Sequence, residues 1–214
     1  VVRNVPNLWK LDADRIAQHR KMLRDKLCAN PNDFIVSYHG AIVPGRGIEV
    51  MLQAVSKIED IYALILGNGA ENYNRELKKL VESLGLESRV LFLPAVSIDS
   101  LSDYITAVDI SFVLINAISK SYYLSLPNKI FESIQALTPV IASDFPEIGR
   151  ITQQYGIGVT VNPDSIDEIK KAMISMKTDA DFYALLKQNL AKAKMELCWE
   201  VEKKILKDAF IRLI

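Results

Sequence analysis

Short apolar runs alternate with amphipathic segments along most of the chain. Six runs rich in Val, Ile and Leu stand out, at residues 34–38, 61–66, 89–93, 109–114, 139–142 and 156–161. Runs that are apolar throughout are typical of parallel strands buried on both faces, because neither side of such a strand meets water. The alternation predicts an α/β fold, a Rossmann-like parallel sheet of about six strands with helices on both faces.

The segments between these runs carry helix signals. Gly85 stands in a C-cap position, Ser97 or Asp99 can cap one helix start, and Asp164 or Ser165 can cap another. The predicted helices cover residues 10–28, a stretch around 50–58, 71–84, 97–107, a segment opened by Pro127, 164–176, 179–194 and 198–214.

Composition limits the kinds of partner. Lys plus Arg is 26 and Asp plus Glu is 26, so the formal net charge is zero and nucleic-acid binding is not indicated. Cys28, Cys198, His19 and His39 do not stand at metal-ligand spacing, so no metal site is predicted. A reducing, cytoplasmic setting is the simpler interpretation of two distant cysteines. The chain also begins without Met, which raises the hypothesis that it is part of a longer protein.

The loops after the predicted strands are the places to look for a ligand, because parallel sheets bind ligands beyond the carboxyl ends of their strands. The first such loop, residues 40–47, contains Gly40, Gly45, Gly47 and Arg46. Glycines allow close backbone approach, and an arginine fork matches phosphate oxygens. A plain strand-to-helix connection with a surface arginine explains this composition about as well.

Two further loops give weaker signals. Gly67-Asn68-Gly69 follows the second strand and is more simply a turn, since the third glycine of the dinucleotide fingerprint is missing. The third strand leads into Leu93-Pro94-Ala95-Val96, whose bare backbone could face a flat ring. No side chain there specifies such a contact, so an ordinary turn is favoured.

The segment 126–132 opens a helix at which an anion could bind. Pro127 is predicted at the first helical position, where its missing N–H costs nothing, and the N–H groups of Asn128 and Lys129 then face outward. Glu132 shares one helix face with both residues, and its carboxylate can accept two hydrogen bonds from a vicinal diol. An exposed Lys129–Glu132 ion pair is the alternative, and spacing alone slightly favours it.

Taken in order, these segments resemble the C-terminal, donor-binding half of the retaining glycosyltransferases of family four (group 1), which have the two-domain GT-B architecture. The resemblance extends over nearly the whole chain. It is carried by residues 4–7, 40–47, 67–69, 89–94, 104–109, 127–132, 139–143 and 198–200. It implies an inter-domain linker and leading helix at 1–30, a nucleotide-sugar binding domain at 31–194, and a C-terminal helix at 195–214 that packs at the domain junction.

The resemblance implies that the donor is a nucleoside-diphosphate sugar of the UDP or GDP type. It implies that Arg46 stabilises the leaving diphosphate, with Lys129 added by its position, and that Glu132 binds the ribose hydroxyls. It also implies that residues 93–96 present the backbone edge that reads the base. The full donor-binding set is Gly40, Arg46, Gly47, Gly69, Pro94, Asn128, Lys129 and Glu132. It implies no metal and no other cofactor, since basic side chains and helix N–H groups meet the diphosphate charge.

Two positions depart from the family's pattern. Ala41 stands where many members have a second basic residue, and Leu124 stands where many have a glutamate that touches the sugar. Lys129 can supply some of the missing positive charge. The identity of the sugar and the catalytic competence of the chain therefore stay open.

These observations predict a domain that binds the donor for sugar transfer to a glycan or lipid-linked acceptor. The N-terminal acceptor-binding half is not found in the sequence. We therefore expect nucleotide binding with little or no transfer, in a cytoplasmic protein that is peripheral to the membrane through the absent half. Trp199, Phe210 and Ile214 are expected to cover the junction, to mediate association, or to be ordinary core. A GT-B sugar-nucleotide epimerase, a dinucleotide-dependent oxidoreductase and a non-catalytic α/β interaction module remain as alternatives.

Overall fold

The six predicted strands all form, and they join in one parallel sheet. A computed structural model describes residues 2–211. Its strands are β1 (Phe34–His39), β2 (Ile61–Leu66), β3 (Val90–Leu93), β4 (Ile110–Val113), β5 (Val140–Ser143) and β6 (Gly158–Val161). Their order is β3-β2-β1-β4-β5-β6 and every neighbouring pair is parallel, so the predicted Rossmann-like sheet is confirmed.

Helices connect the strands and complete the chain. They are α1 (Ala13–Leu27), α2 (Ile48–Val55), α3 (Glu71–Ser83), α4 (Ile98–Thr106), α5 (Lys120–Tyr123), α6 (Asn128–Gln135), α7 (Pro146–Tyr155), α8 (Ile166–Thr178), α9 (Ala180–Glu196) and α10 (Trp199–Ile211). Ser97 and Ser165 occupy the N-cap positions of α4 and α8. The predicted end of the last helix at Ile214 lies outside the described residues.

Helices α5 and α7 have no counterpart among the predicted elements, although the boundary signals of α7 are present. Pro146 stands in its first turn, Glu147 complements the positive end of the helix dipole, and Gly156 ends it with a φ of 56°. Ile148 and Ile151 are three residues apart and fully buried. Pro146 and Gly156 could have identified α7, as Pro127 identified α6, which is two residues shorter.

The side chains of each central strand alternate between two separate cores. In β2, Ile61, Ala63 and Ile65 pack with residues of α2, α3 and α8, whereas Leu64 and Leu66 pack with residues of α1 and α4. Because successive side chains of a strand point to opposite faces, helices cover both faces of the sheet. The strands are therefore mostly apolar, with buried polar side chains at Ser37, His39, Ser111 and Ser143.

The strand order reverses between β1 and β4. β2 and β3 lie to one side of β1, and β4, β5 and β6 lie to the other. Loops that leave two such strands diverge and open a crevice at the carboxyl edge of the sheet. Residues 40–47 form one wall of this crevice, and the connection from β4 to α6 forms the other. The two loops are tied where the N–H of Asn116 donates to the carbonyl of Gly45 at 3.0 Å.

The N-terminal segment runs beside the start of α10. The N–H of Trp199 donates to the carbonyl of Pro6 at 2.9 Å, and Arg3 pairs with the buried carboxylate of Glu202 at 2.8 Å. Trp199 is partly buried against the core that contains α6 and α9, whereas Phe210 is 61% exposed. Trp199 therefore packs partly against this domain and Phe210 is exposed, while Ile214 lies outside the described residues.

A buried carboxylate holds α1 to the sheet. Asp109, just before β4, accepts a hydrogen bond from the N–H of Ile35 at 2.8 Å and pairs with Arg20, while Arg24 approaches it to 3.7 Å. Leu23 of α1 is fully buried in the core that contains β1 and β2. The leading helix thus packs on the same sheet as the rest of the chain.

The substitution Asp109→Ala is expected to destabilise the fold. It leaves a buried N–H without an acceptor and removes the partner of two guanidinium groups, so we expect the free energy of unfolding to fall by about 2–3 kcal/mol. Urea denaturation measures this change. Asp109→Asn keeps an oxygen for the N–H of Ile35 and should lose less; equal stability of Asp109→Ala and the natural protein would show that this carboxylate does not anchor α1.

Candidate functional site

The crevice between β1 and β4 deepens into a cleft of about 450 Å³. Its walls bring together five of the predicted site residues, which come from the loop after β1 and from the start of α6. They are Gly40, Arg46, Asn128, Lys129 and Glu132. A ligand in this cleft meets both elements at once.

The three other predicted residues lie elsewhere on the same edge of the sheet. Gly69 and Pro94 line a separate hollow of about 310 Å³. Gly47 precedes α2, where an added Cβ would lie 2.4 Å from the Leu114 side chain. At Gly69 an added Cβ would lie 2.2 Å from the carbonyl oxygen of Ile42. Packing therefore explains both glycines, and a donor contact at these three positions stays a prediction.

Helix α6 begins one residue later than predicted. Pro127 has an extended backbone, with φ −73° and ψ 146°, so it is the N-cap and not the first helical residue. A ψ of this value cannot continue a helix, and the helical turns start at Asn128. Because the first turn has no preceding carbonyl to bind, the N–H groups of Asn128 and Lys129 still point out of the helix N-terminus.

Lys129 is a buried cation without a hydrogen-bonding partner among the described residues. It is 8% exposed, and its Nζ lies 3.7 Å from the centroid of the Tyr38 ring. The exposed Lys129–Glu132 ion pair that the spacing slightly favoured does not form. An aromatic face attracts an ammonium but offers it no acceptor atom. The ammonium is thus held in place while its hydrogen-bonding capacity stays unused.

The surroundings of Lys129 weaken its hold on the proton. Burial lowers the pKa of Lys129 from 10.5 to about 7; the nearby Arg46 guanidinium lowers it further, and the Glu132 carboxylate opposes both. Lys129 therefore lies close to its titration point at neutral pH. An anion that enters the cleft would favour the charged ammonium.

Arg46 supplies a second cation to the cleft. Its guanidinium carbon lies 4.8 Å from the centroid of the Tyr122 ring, in the connection between β4 and α6. The ring orients the planar fork without occupying its N–H donors. Two cations and a helix N-terminus therefore converge on one cleft, an arrangement suited to a phosphate group.

Glu132 is held from behind by a histidine. His39 Nε2 lies 3.1 Å from Glu132 Oε2, and the histidine is 1% exposed while the glutamate side chain is 25% exposed. Burial lowers the pKa of His39, with the bonded Glu132 carboxylate opposing the shift. One side of the carboxylate is thus anchored, and the group remains accessible from the cleft.

Three residues of this site were missed by the sequence analysis as site residues: Tyr38, His39 and Tyr122. Tyr38 and His39 end β1, so the rule that ligands bind at the carboxyl ends of strands could have found them. No local pattern marks Tyr122, because its role depends on the fold of the connection that brings its ring to Arg46.

Asn128 and Glu132 also border a second cavity, of about 510 Å³, whose other walls are residues 4–10 and the start of α4. The Asn4 side chain donates to the Asn128 side chain at 3.2 Å across this border. Glu132 therefore stands between a strongly cationic cleft and a wider cavity. A ligand longer than a phosphate group can extend past Glu132 from one into the other.

The two departures from the family pattern are visible in the structure. Ala41 lines the cleft without a charge, and Leu124 is 47% exposed beyond α5. Within residues 2–211, no three His, Cys, Asp or Glu side chains cluster closely enough to hold a metal ion. In the same range, no helix has the length and apolar character needed to cross a membrane.

Curated relatives of this chain are glycosyltransferases. The D-inositol 3-phosphate glycosyltransferase of Rhodococcus jostii (strain RHA1) is 25% identical over 190 residues, which cover 85% of this chain and 41% of that protein. The O-antigen biosynthesis glycosyltransferase WclY of Escherichia coli is 24% identical over 196 residues, covering 89% of this chain and 52% of that protein. The chain thus spans about half the length of the curated relatives it matches.

Solved structures with the same fold include glycosyltransferases. Anabaena Alr3699/HepE, solved in complex with UDP-glucose, superposes with a TM-score of 0.82 at 19% identity, over 98% of this chain and 56% of that chain. The C-terminal domain of a glycosyl transferase group 1 family protein (LpcC) from Francisella tularensis gives a TM-score of 0.65 at 18% identity, over 86% of this chain and 92% of that chain. At these identities the likeness shows the fold, which is the Rossmann-like domain of the GT-B architecture.

The model of the family "Glycosyl transferases group 1" matches residues 19–193, from α1 into α9. This range contains the whole sheet and all residues of the cleft described above. The resemblance that the motif order indicated is confirmed, and the chain belongs to the group 1 glycosyltransferases.

Proposed function

We propose that this chain binds a nucleoside-diphosphate sugar, as the donor domain of an enzyme that transfers the sugar to a glycan or lipid-linked acceptor. The observation that carries the proposal is the buried, unpaired ammonium of Lys129, which faces the same cleft as Arg46 at the start of α6. A diphosphate supplies the acceptor atoms and the negative charge that these groups lack. The helix N-terminus adds further N–H donors.

The arrangement of charges supports one orientation of the donor. The diphosphate lies between Arg46 and Lys129, close to Gly40, where an added Cβ would lie 3.9 Å from Lys129 Nζ. The ribose lies at Glu132, whose carboxylate accepts hydrogen bonds from a vicinal diol. The base extends past Glu132 toward the second cavity, which Glu132 also borders, whereas Pro94 of the predicted base-binding edge lies in a separate hollow. The cleft has no carboxylate at Leu124 to hold the sugar.

In this proposal, the chain assists transfer through charge. As the bond between the sugar and the diphosphate breaks, negative charge grows on the leaving oxygen. Arg46, Lys129 and the N–H groups of α6 are placed before the reaction begins, so they need not reorganise as that charge develops. No metal is required in this scheme, because Arg46 and Lys129 supply the positive charge that a metal ion would otherwise provide.

We also propose what accepts the sugar and which domain binds that acceptor. The relatives include proteins of O-antigen biosynthesis and of lipopolysaccharide core biosynthesis, which supports a glycan or lipid-linked acceptor. Since the chain spans about half the length of such relatives, we propose that an N-terminal domain binds the acceptor and that this chain alone transfers little or no sugar. The free Cys28 and Cys198 support a reducing, cytoplasmic location.

The substitution Arg46→Ala is expected to weaken nucleotide binding by roughly 10- to 100-fold, because it removes charge-assisted hydrogen bonds to phosphate. Isothermal titration calorimetry with UDP and with GDP measures the dissociation constant and identifies the preferred base. Glu132→Gln should weaken binding less, since it keeps one acceptor oxygen. EDTA should leave the affinity unchanged.

Arg75→Ala is the matched control for Arg46→Ala. Arg75 is an exposed arginine on α3 that pairs with Glu71 and does not line the cleft. Its removal should not alter binding. Heat with neither UDP nor GDP, or equal affinity in Arg46→Ala and the natural protein, would refute the proposed function. Absence of nucleotide binding would favour a non-catalytic interaction module.

Nucleotide affinity is expected to fall as the pH rises above neutrality. Burial lowers the pKa of free Lys129 to about 7, and a bound diphosphate raises it again. Binding then takes up a proton, so the contribution of Lys129 is complete below about pH 7 and is lost as the pH rises toward the pKa of the bound lysine.

Titrations between about pH 7 and about pH 8.5 test this prediction, because the terminal phosphate is already ionised over that range. Buffers with different ionisation enthalpies report the proton uptake directly. Lys129→Met keeps the shape of the side chain without its charge, and its weaker binding should not depend on pH. The same pH dependence in both proteins would exclude Lys129 as the titrating group.

A further inference from the structure

A chain of buried polar side chains lies directly behind Glu132. His39 Nε2 is 3.1 Å from the Glu132 carboxylate, and His39 Nδ1 is 3.4 Å from Ser111 Oγ. Ser133 Oγ lies 2.9 Å from Ser111 Oγ and 2.8 Å from the carbonyl of Lys129. The histidine is 1% exposed and both serines are fully buried. These contacts join β1, β4 and α6 beneath the cleft.

His39 and Ser111 are polar side chains in a mostly apolar core. Ile110 and Phe112 on either side of Ser111 are buried core, and Ser111 is paired across β1 and β4 with Ser37, whose buried hydroxyl has no hydrogen-bonding partner among the described residues. Burying a polar group is unfavourable unless its hydrogen bonds are made, and His39, Ser111 and Ser133 make theirs with one another and with Glu132. This row of polar side chains ends at the Glu132 carboxylate. Because that carboxylate faces the cleft, the row is connected with the site.

The positions of the protons follow from the donors available. A carboxylate only accepts hydrogen bonds, so the proton between His39 and Glu132 belongs to His39 Nε2. Burial lowers the pKa of His39, and the Lys129 ammonium lowers it further. The Glu132 carboxylate and the Lys129 carbonyl oppose this shift. The ring is therefore neutral and Nδ1 is an acceptor. Ser111 can donate to it, and Ser133 can donate its one hydroxyl proton to Ser111 in place of the Lys129 carbonyl.

We infer that His39 is a positioning residue for donor recognition, whose Nε2–H fixes Glu132, and that Ser111 and Ser133 select the tautomer that makes this donation. The inference rests on the proposed function, because the partner of Glu132 is the ribose diol. A carboxylate anchored through one oxygen presents the other to the hydroxyls. His39 also keeps Glu132 from turning toward Lys129, three residues away, so both groups stay available to the ligand.

The first test compares a nucleotide with its analogue that lacks the ribose diol. The natural protein, His39→Leu, His39→Gln and Ser111→Ala are titrated with UDP or GDP, whichever binds more tightly, and with the 2′,3′-dideoxy form of that nucleotide. We expect His39→Leu to bind the ribonucleotide roughly tenfold more weakly and to bind the dideoxy form unchanged. His39→Gln should recover most of the loss, because its amide N–H lies near the position of Nε2.

Two further variants separate positioning from a purely structural effect. Glu132→Gln combined with His39→Leu should bind no more weakly than Glu132→Gln alone, since His39 acts through the carboxylate. Ser111→Ala should reduce the preference for the ribonucleotide in the same direction as His39→Leu, with little change in stability to urea. If His39→Leu weakens both forms of the nucleotide equally, or leaves the preference intact, the positioning role is wrong.

The second test is independent of any ligand. Nitrogen-15 NMR of the histidine side chains in the free protein shows which ring nitrogen of His39 carries the proton, with His39→Gln identifying its signals. Protonated Nε2 supports the inference, and protonated Nδ1 overturns it. If the natural protein binds neither UDP nor GDP, the proposed function and the ribose role fail together, while this measurement still decides the proton arrangement behind Glu132.

Discussion

The reversal of strand order between β1 and β4 is the constraint on which the site depends. Because β1 and β4 are neighbours whose chains continue in opposite directions across the sheet, their following loops separate and leave a crevice. The glycine-rich loop after β1 and the N-terminus of α6 face each other across it. Neither element could form the cleft alone, and every residue of the proposed phosphate site lies on one of these two walls.

The electrostatics of the cleft are arranged so that opposite charges do not meet. Lys129 is buried against the ring of Tyr38, Arg46 lies over the ring of Tyr122, and Glu132 is bonded to His39. Aromatic faces and a neutral imidazole thus take the places that ion-pair partners would otherwise hold. An unpaired buried ammonium destabilises the folded state, and this fold tolerates it at a site where an anionic ligand would supply the missing partner.

The site also differs from the family pattern in a coherent way. A basic residue is absent at Ala41, and a buried lysine appears one turn before Glu132, with its Nζ close to the backbone of Gly40. Lys129, on the helix that faces the loop after β1, can supply some of the positive charge that Ala41 lacks, beside the Arg46 of that loop. Leu124 marks a second difference, since an exposed apolar side chain stands where a carboxylate would bind a sugar hydroxyl. The site thus has more groups that can contact the phosphate end of the proposed ligand than the sugar end.

The sequence by itself determined the sheet and its layers. Six apolar runs spaced by helical segments are enough to predict a parallel sheet covered on both faces, because such runs can be stable only where both sides are buried. Helix α7 was missed although Pro146 and Gly156 mark its two ends. The order of motifs also indicated the family, and composition made nucleic acid an improbable partner.

Only the tertiary structure decided how the site residues are paired. The spacing of Lys129 and Glu132 is that of an ordinary helical ion pair, and the local sequence contains no reason for the pair to be absent. The reason lies in β1. Its Tyr38 and His39 are about ninety residues away in sequence, and the fold brings them into contact with Lys129 and Glu132. Gly69 and Pro94, two of the predicted donor-binding residues, line a separate hollow, which the order of motifs along the chain does not reveal. Periodicity reports which residues are buried together, but contacts across the sheet set the partner of each charge.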